Sequence, residues 1–436
     1  MATTYLQRTN TSATNTYTFS AWVKLANPTS NDNQWIFMNN GSGLMTRGGS
    51  AGASGEQFHF YNDSNTTNYY SGAKRRDVSG WYHIVLSSNS GTGTLYVNGE
   101  TDKTGIVVPN LGTATNGFVI GKHSGASSQY FDGSMSHVHF IDGTAYTASS
   151  FGSTDTTTGE WKIKTPSVTY GSQGFFILKN GNSVTDQSGN GNNFTVGGGT
   201  LTKTEDNPSN VFATLNGVKP GIDQTLSNGN TTMASGTATS RTPSQTTLGM
   251  SSGKYYAEFK LLTSDNGICG VMNTQDNSDV SRGTEYYTGY SPAGWGYLGG
   301  GSVYNDASSV GGTWASLAVG DIVGVAINLD NTQGGLNKLY FSKNGVWQNG
   351  ADPSNHSSVV GVVGITAPSN TNDGFYYFSV SDGSAGSSAG FNCNFGNGYF
   401  GTTAVSSAGS NASNNGIFEY DVPTGFTALS TKGLNL

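Results

Sequence analysis

The chain has 436 residues and a formal net charge of −7, and only 11% of its residues are charged. This length accommodates two or three domains. No basic cluster exceeds Lys74-Arg75-Arg76, which excludes a nucleic-acid partner because neutralising phosphates requires a basic face. No apolar run approaches the roughly 18 residues of a membrane helix. The first residues lack the apolar core of a signal peptide, so we expect synthesis in a host cytoplasm without membrane insertion.

The composition favours an all-β fold. Glycine contributes 64 residues, and aromatic residues reach 11% with 22 Tyr and 21 Phe. Disorder goes with high net charge and few aromatic residues, so it is not expected here. Short strands with aromatic cores, joined by Gly, Asn and Ser turns, explain this balance.

Residues 17–25 begin a first series of strands, because Tyr17, Phe19, Ala21, Val23 and Leu25 alternate with other residues and share one face. Further strands are predicted at residues 34–37, 57–61, 81–86, 95–100, 117–121 and 131–142. Turn signals separate them at the spacing of a β-sandwich.

Three motifs in this region, FSAWVKL, WYHIVLSSNSGTGTLYVNGE and FVIGKHSGASSQYFDGSMSHVHFIDGTAYTASSFG, resemble the LamG-like (concanavalin A-like) jelly roll. The resemblance implies two curved antiparallel sheets with a concave face, a fold used by lectins, laminin-type modules and some glycanases. The segment DQSGNGN at 186–192 resembles another part of LamG-type proteins. We therefore assign residues 1–205 to this module.

The second series is most legible at residues 319–350, where two alternating apolar strands flank a turn at 330–335 and a second turn follows at Asn344-Gly345. SSGKYYAEFKLL, GWGY, GDIVGVAINLD and LYFSKNGV resemble a SPRY (B30.2-like) domain. This implies a bent two-sheet sandwich whose long loops make the binding surface. We assign residues 206–400 to it, and residues 401–436 to a C-terminal loop and docking tail. The fold class is two tandem antiparallel β-sandwiches.

The pairing of these modules, with the closing PTGFTALSTKGL, resembles structural proteins of tailed bacteriophages, particularly marine ones. The resemblance implies a virion protein, either a tail fibre, a knob or a capsid decoration. Its expected partners are other virion proteins, further copies of itself in a homo-oligomer, and a host cell-surface glycan or protein.

Exposed tyrosines are the candidate ligand-binding residues, because sugar recognition stacks aromatic rings on pyranose faces. The candidates are Tyr286, Tyr287, Tyr290, Tyr304, Tyr69 and Tyr70. Trp295 falls where the SPRY pattern has a core aromatic and is predicted to be buried. Tyrosine is also enriched at protein interfaces, so the same residues fit subunit contacts.

Metal binding has two candidate sets. His137 and His139 are two apart on a predicted strand and would share a face. LamG-like modules often carry calcium near the sandwich rim, and Asp132 and Asp142 lie in suitable turns, although Ca²⁺ takes roughly six to eight oxygens. No other cofactor is expected.

Catalysis is not expected. Concanavalin-type retaining glycanases use a Glu-x-Asp-x-x-Glu strand, in which alternation places three carboxylates in the cleft. Glu100-Thr101-Asp102 starts that pattern, but residue 105 is Gly. A polysaccharide-degrading glycanase and a peptide-binding SPRY adaptor remain the two alternative functions. Cys269 and Cys393 are predicted to be buried thiols of one module.

Overall fold

The computed structural model describes residues 3–30, 32–47, 56–111, 117–179, 181, 183–237, 242–263, 266–273, 286–330, 335–383 and 386–435. The chain divides into two compact units. Unit 1 comprises Met1–Lys203 with Asn207–Ser209, and unit 2 comprises Thr204–Asp206 with Asn210–Leu436.

Both units are antiparallel β-sandwiches, as predicted, and the helices of the described ranges are all 3₁₀ turns of three residues. These turns are Asp63–Asn65, Ala148–Ser150, Gln348–Gly350, Pro368–Asn370 and Gly433–Asn435. In these ranges no helix reaches the length and hydropathy that a membrane crossing needs.

Unit 1 contains fifteen described strands. They are β1 (Tyr5–Arg8), β2 (Tyr17–Leu25), β3 (Gln34–Asn39), β4 (Ser42–Thr46), β5 (Phe58–Asn62), β6 (Thr67–Tyr70), β7 (Tyr82–Asn89), β8 (Thr92–Val97), β9 (Glu100–Val107), β10 (Phe118–Ile120), β11 (Gly133–Asp142), β12 (Gly152–Thr154), β13 (Trp161–Ile163), β14 (Phe175–Ile177) and β15 (Thr195–Gly198). A seven-stranded sheet has the order β15-β1-β10-β3-β4-β5-β6, and a six-stranded sheet has the order β14-β11-β2-β7-β8-β9. Strands β12 and β13 form a separate hairpin.

The core of unit 1 lies between its two large sheets and is rich in stacked aromatic rings. The rings of Phe19 and Phe37 stack with centroids 4.5 Å apart, and Phe118 contacts Phe140 at 4.7 Å. The predicted inward face of β2, from Tyr17 to Leu25, lies in this core. Such offset or tilted ring pairs add about 0.5–1.5 kcal/mol each beyond their buried area.

Strand β2 is buried on both faces, whereas its sequence indicated only one. Residues 143–173, which we call the covering segment, lie over the outer face of the six-stranded sheet. There Phe151 and Trp161 of the covering segment form a second apolar cluster with Val85 and Ile141 of the sheet. Alternation alone could not reveal this layer, because Thr18, Ser20, Trp22 and Lys24 include polar residues.

Unit 2 contains the remaining described strands. They are β16 (Gln224–Ser227), β17 (Thr232–Ser235), β18 (Ser244–Gln245), β19 (Lys254–Leu261), β20 (Gly267–Met272), β21 (Gly294–Leu298), β22 (Ser302–Asn305), β23 (Ser308–Val310), β24 (Ile322–Asn328), β25 (Asn337–Lys343), β26 (Val346–Trp347), β27 (Val363–Ile365), β28 (Tyr377–Asp382), β29 (Gly390–Asn394), β30 (Tyr399–Phe400), β31 (Thr403–Ala404) and β32 (Thr427–Ala428). One sheet follows β16-β17-β29-β19-β24-β25-β26, with β27 beside β25 and β32 beside β19, and the other follows β18-β28-β20-β21-β22-β23.

The two predicted turns of residues 319–350 have different outcomes. Asn344 and Gly345 have φ of 49° and 79°, which confirms the positive-φ hairpin turn expected between β25 and β26. Of the turn between β24 and β25, residues 331–334 lie outside the described ranges. Strands β24 and β25 pair from Val323 opposite Lys343 to Asn328 opposite Lys338.

The C-terminal residues cover the outer face of the larger sheet of unit 2. Phe418, Val422 and Phe426 pack there with Tyr256 and Tyr340. Strand β32 pairs in parallel with the start of β19. Cys269 and Cys393 are buried free thiols in the sandwich core of unit 2, as predicted.

Candidate ligand-binding site

Four of the six tyrosines predicted to bind a ligand form one cluster in unit 2, which we call the tyrosine cluster. Tyr286, Tyr287 and Tyr290 precede β21, and Tyr304 lies in β22. The ring of Tyr290 is centred 5.9 Å from that of Tyr286 and 5.2 Å from that of Tyr287, and Tyr287 is 6.2 Å from Tyr304. All four residues are half-buried. The rings therefore support one another while keeping part of their surface accessible.

Buried hydrogen bonds to a neighbouring strand hold the tyrosine-bearing loop in place. The backbone N–H of Thr288 donates to Ser381 Oγ at 3.0 Å, and its hydroxyl lies 2.8 Å from Ser379 Oγ. All three residues are buried. Since buried hydroxyls without partners cost free energy, these contacts define the position of the loop on β28.

Gly289 lets the loop approach β22 closely. Its φ is +95°, and a Cβ at this position would lie 2.7 Å from the carbonyl oxygen of Tyr304. The N–H of Tyr290 donates to the carbonyl of Tyr287 at 2.9 Å, which closes a tight turn. Only glycine combines this φ with this close approach at little cost.

Asn305 fixes the other side of the tyrosine cluster. Its amide nitrogen donates to the carbonyl of Pro292 at 3.1 Å and to that of Gly294 at 2.8 Å. The following residues, Asp306 and Ala307, have φ of 49° and 59° and form the turn into β23. From 286 to 310, Asp306 is the single charged residue of the sequence. The surroundings of the rings are thus mainly neutral.

Tyr69 and Tyr70 lie in unit 1 on β6, an edge strand of the seven-stranded sheet. Tyr69 packs against the sandwich core. Tyr70 lies on the opposite face, where its ring is 5.1 Å from that of His59 and its hydroxyl accepts a hydrogen bond of 2.6 Å from Arg47. Successive strand residues point to opposite faces, so these two tyrosines do not form one contact surface.

Trp295 is a core residue, as predicted. It is 4% exposed, and its ring meets that of Tyr376 edge-on at 6.0 Å. It supports the tyrosine cluster from β21 without forming part of its surface.

Asp132 and Asp142 lie at opposite ends of β11. Gly133 pairs with Leu25 and Asp142 pairs with Tyr17, the two ends of β2. Ten residues of strand span about 30 Å, so the two carboxylates cannot bind the same ion. Among the described residues, no group of three or more His, Cys, Asp and Glu side chains is arranged to hold a metal.

Each aspartate also has its own local surroundings. One carboxylate oxygen of Asp142 accepts hydrogen bonds from the N–H of Gln173 at 3.1 Å and from Ser172 Oγ at 3.2 Å. Asp132 is largely buried, and this burial raises its pKa. Calcium binding by either residue remains a prediction.

His137 and His139 do not sit in the simple alternation that the sequence indicated. A β-bulge interrupts the pairing of β11 with β2 between Ser136 and His139, and His137 has φ of 49°. His139 is buried, stacks on Phe176 at 3.9 Å, and places Nδ1 2.9 Å from the hydroxyl of Tyr170. Its ring therefore serves as a packing element beneath the covering segment.

Sequence reasoning missed His83, which joins the six-stranded sheet to the covering segment. Its Nδ1 accepts a hydrogen bond of 3.0 Å from the indole N–H of Trp161, and its Nε2 lies 2.9 Å from Ser20 Oγ. Indole nitrogen only donates, so Nδ1 is unprotonated and Nε2 carries the hydrogen. Burial lowers the pKa of His83 to about 3. No local signal could have paired residues 78 positions apart.

The candidate glycanase carboxylates lie on β9, the edge of the six-stranded sheet. Glu100 is exposed, and Asp102 is in an ion pair with Arg75. A second Glu-x-Asp, Glu419-Tyr420-Asp421, escaped the sequence analysis. The carboxylates of Glu419 and Asp421 bind Ser406 and Ser410 respectively, and thereby tie residues 406–410 to the C-terminal segment.

The architecture is a tandem of two antiparallel β-sandwiches with half-buried aromatic loops on the second. Residues 2–150 match the family model described as Concanavalin A-like lectin/glucanases superfamily, Laminin_G_3. No curated protein matches the chain.

Solved structures with similar folds fall into the two expected groups. A proposed carbohydrate binding protein from Bacteroides ovatus is 20% identical over 45% of this chain and 56% of its own, with a TM-score of 0.34. The SPRY domain of human HERC1 is 16% identical over 40% of this chain and 92% of its own, with a TM-score of 0.29. The heptameric pentraxin of Limulus polyphemus is 18% identical over 34% and 72%, with a TM-score of 0.26. This chain thus spans about half the length of the Bacteroides protein.

Proposed function

We propose that this chain is a non-enzymatic virion protein of a tailed bacteriophage that binds a host-surface glycan through the tyrosine cluster of unit 2. It would serve in a tail fibre, a knob or a capsid decoration. The observation that carries the proposal is the convergence of four half-buried tyrosines on a loop held by buried hydrogen bonds.

The chemistry of the tyrosine cluster suits an uncharged glycan. A tyrosine ring offers an apolar face for the C–H groups of a pyranose and a hydroxyl that both donates and accepts hydrogen bonds. The loop is preorganised by Gly289 and Thr288, so binding loses little conformational entropy. With Asp306 as the one charge in residues 286–310, neutral sugars fit better than charged ones.

The virion assignment is supported by the arrangement of two sandwiches and by the phage-like sequence features. A surface with 11% charged residues depends little on long-range electrostatics. In concentrated salt such forces are screened within a few ångströms, about 3 Å at 1 M. A low-charge binding surface therefore suits a particle in seawater. The particle partners and the homo-oligomer belong to the same proposal.

The non-enzymatic part of the proposal is supported by the surroundings of the candidate carboxylates. Asp102 is in an ion pair with Arg75 and also accepts a hydrogen bond from the N–H of Gly72. A retaining glycanase instead needs two carboxyl groups about 5–5.5 Å apart across a cleft. Release of reducing sugar from host polysaccharide by the purified protein, with loss in Glu100→Gln, would favour the glycanase alternative.

The test measures binding of purified protein to host cells and to a glycan array, together with competition against phage adsorption. We expect Tyr287→Ala and Tyr290→Ala to lower glycan binding by at least about tenfold, equivalent to about 1.4 kcal/mol. Tyr377→Ala is the matched control, because Tyr377 is a half-buried tyrosine of the same unit outside the cluster. Equal losses in all three variants would contradict the assignment to the cluster.

Two other outcomes separate the parts of the proposal. If the wild-type protein neither binds cells nor competes with adsorption, host binding is wrong and a decoration role is left. If the protein retains specific peptides instead of glycans, the SPRY-type adaptor alternative replaces the glycan-binding proposal.

A further inference from the structure

A cavity of about 300 Å³ lies in unit 2 between the start of β19, the end of β24 and the C-terminal segment. Its lining includes Gly253, Lys254 and Asp330 on one side and Ser413, Phe426 and Thr427 on the other. Small-molecule sites start at about this volume. The cavity shares no residue with the tyrosine cluster, so it is a separate site.

An ion pair forms one wall of the cavity. Lys254 Nζ lies 2.5 Å from Asp330 Oδ2, and Asp330 Oδ1 accepts a hydrogen bond of 2.7 Å from the N–H of Gly253. The side chains are 19% and 33% exposed, so both reach the cavity surface. An ammonium group has three donor hydrogens, and carboxylate oxygens accept more than one hydrogen bond each. The pair thus places a donor and an acceptor side by side with no net charge.

An aromatic ring supplies the apolar part of the lining. Phe426 is 2% exposed and is braced edge-on by Tyr340 at 6.4 Å and by His356 at 6.0 Å. Gly425 has φ of +86°, and a Cβ there would lie 2.8 Å from His356 Cε1. His356 Nε2 in turn lies 3.0 Å from the carbonyl oxygen of Thr424. The backbone around Phe426 is therefore held rigidly.

The opposite wall is also preformed. Ser413 Oγ donates to Asn411 Oδ1 at 2.7 Å, and the amide of Asn411 donates to the carbonyls of Asn415 and Gly416, each at 2.9 Å. Thr427 lies in β32, which pairs with β19. Because both walls belong to hydrogen-bonded elements, ligand entry would require little rearrangement.

We propose that this cavity binds one uncharged pyranose unit. A pyranose presents an apolar C–H face and an edge of adjacent hydroxyls, and the cavity opposes the first with Phe426 and the second with the Lys254–Asp330 pair. A phosphate or carboxylate ligand fits less well, because Asp330 would repel it beside Lys254. The choice of a sugar rests on the proposed glycan-binding function, while the site itself is independent of the tyrosine cluster.

The test titrates the full-length protein with the methyl glycosides of glucose, galactose and mannose, observed by saturation-transfer NMR. We expect saturable binding of at least one glycoside. Ala412→Trp fills the mouth from an exposed lining position, and Ala408→Trp is the matched control at an exposed alanine outside the lining. Ala412→Trp and Lys254→Met should each weaken binding at least about tenfold, whereas Ala408→Trp should leave it unchanged.

Several results would overturn the proposal. These are no saturable binding of any of the three glycosides, equal binding in wild type and Ala412→Trp, or displacement of the glycoside by inorganic phosphate at equal concentration. If Tyr287→Ala abolishes glycoside binding and Ala412→Trp does not, the sugar binds at the tyrosine cluster and the cavity proposal fails alone. If the cavity binds a glycoside and the protein binds no cells, host binding fails and the cavity proposal is supported.

Discussion

The buried carboxylate of Glu258 accepts a hydrogen bond of 2.9 Å from the backbone N–H of Glu419, 161 residues later in the chain. Tyr420 N–H, the Tyr256 hydroxyl and the Asn394 amide donate to the same carboxylate. One strand residue thus satisfies two backbone groups of the C-terminal segment. Since buried groups without partners are costly, Glu258 holds that segment on the outer face of the sheet.

Replacing Glu258 should loosen the C-terminal segment. Glu258→Met removes all four acceptor contacts and should lower the free energy of unfolding by about 3 kcal/mol, the usual scale for leaving buried donors unpaired. Glu258→Gln keeps one acceptor oxygen and should cost less. Chemical denaturation measures the stability, and limited proteolysis within residues 401–426 measures the release of the segment.

The control for Glu258 is Glu419→Gln, which alters a carboxylate on the other side of the same contact. Its backbone N–H still donates to Glu258, so protease resistance of the segment should be nearly retained. If Glu258→Met and wild type are cleaved equally fast, Glu258 does not hold the segment.

Acid should destabilise the outer layer of unit 1. The pKa of His83 falls to about 3 on burial and recovers to about 6.5 in the unfolded chain. The opened state therefore binds more protons, and stability present above pH 6.5 is lost as the pH falls toward 3. One such histidine contributes about 1.4 kcal/mol per pH unit in this window. Hydrogen exchange of peptides within residues 80–100 and 150–165 should accelerate between pH 6.5 and 5.

His83→Gln should weaken this pH dependence, because glutamine can accept from Trp161 and donate to Ser20 without titrating in this range. His356→Gln, in unit 2, should leave exchange in unit 1 unchanged. An identical pH profile in His83→Gln and wild type would show that other groups control the acid response.

Unit 2 should show the opposite response near its C-terminal segment. Burial raises the pKa of Glu258 to about 7, against the lowering effect of its hydrogen-bond donors. The folded state then binds more protons than the unfolded state, so this contribution is present below about pH 4.5 and is lost as the pH rises through 7. Hydrogen exchange in residues 415–430 should therefore be slower at pH 5 than at pH 7.5, after correction for intrinsic rates. The difference should disappear in Glu258→Gln.

Gly289 should be required for the tyrosine cluster. Gly289→Ala introduces a Cβ 2.7 Å from the Tyr304 carbonyl at a φ of +95°, a strain of about 1–3 kcal/mol. We expect glycan binding to fall at least fivefold as the turn leaves β22. Gly300→Ala is the control, because the nearest atom to its Cβ would be 3.8 Å away. Equal binding by both variants would separate glycan recognition from this turn.

The two thiols should be unreactive in the folded protein. Burial raises the pKa of both Cys269 and Cys393, and neither forms a disulfide. Since the thiolate is the reactive form, a disulfide reagent at pH 8 should modify neither thiol in native buffer and both in denaturant. Rapid modification in native buffer would indicate that the core of unit 2 opens readily.

The sequence by itself determined the fold class, the principal strands and the tight turn at Asn344-Gly345. These features depend on period-two alternation and on residues that accept positive φ, which are local properties of the chain. It also identified Trp295 and both cysteines as core residues. The family resemblances carried the order of the two modules.

Only the tertiary structure decided which residues meet across long separations. It joined Tyr287 to Tyr304 and Lys254 to Asp330, and it placed Asp132 and Asp142 at opposite ends of one strand. It also buried the second face of β2 beneath residues 143–173. Strand pairing and the packing of connecting segments set these contacts, and neither leaves a periodic signal in the neighbouring sequence.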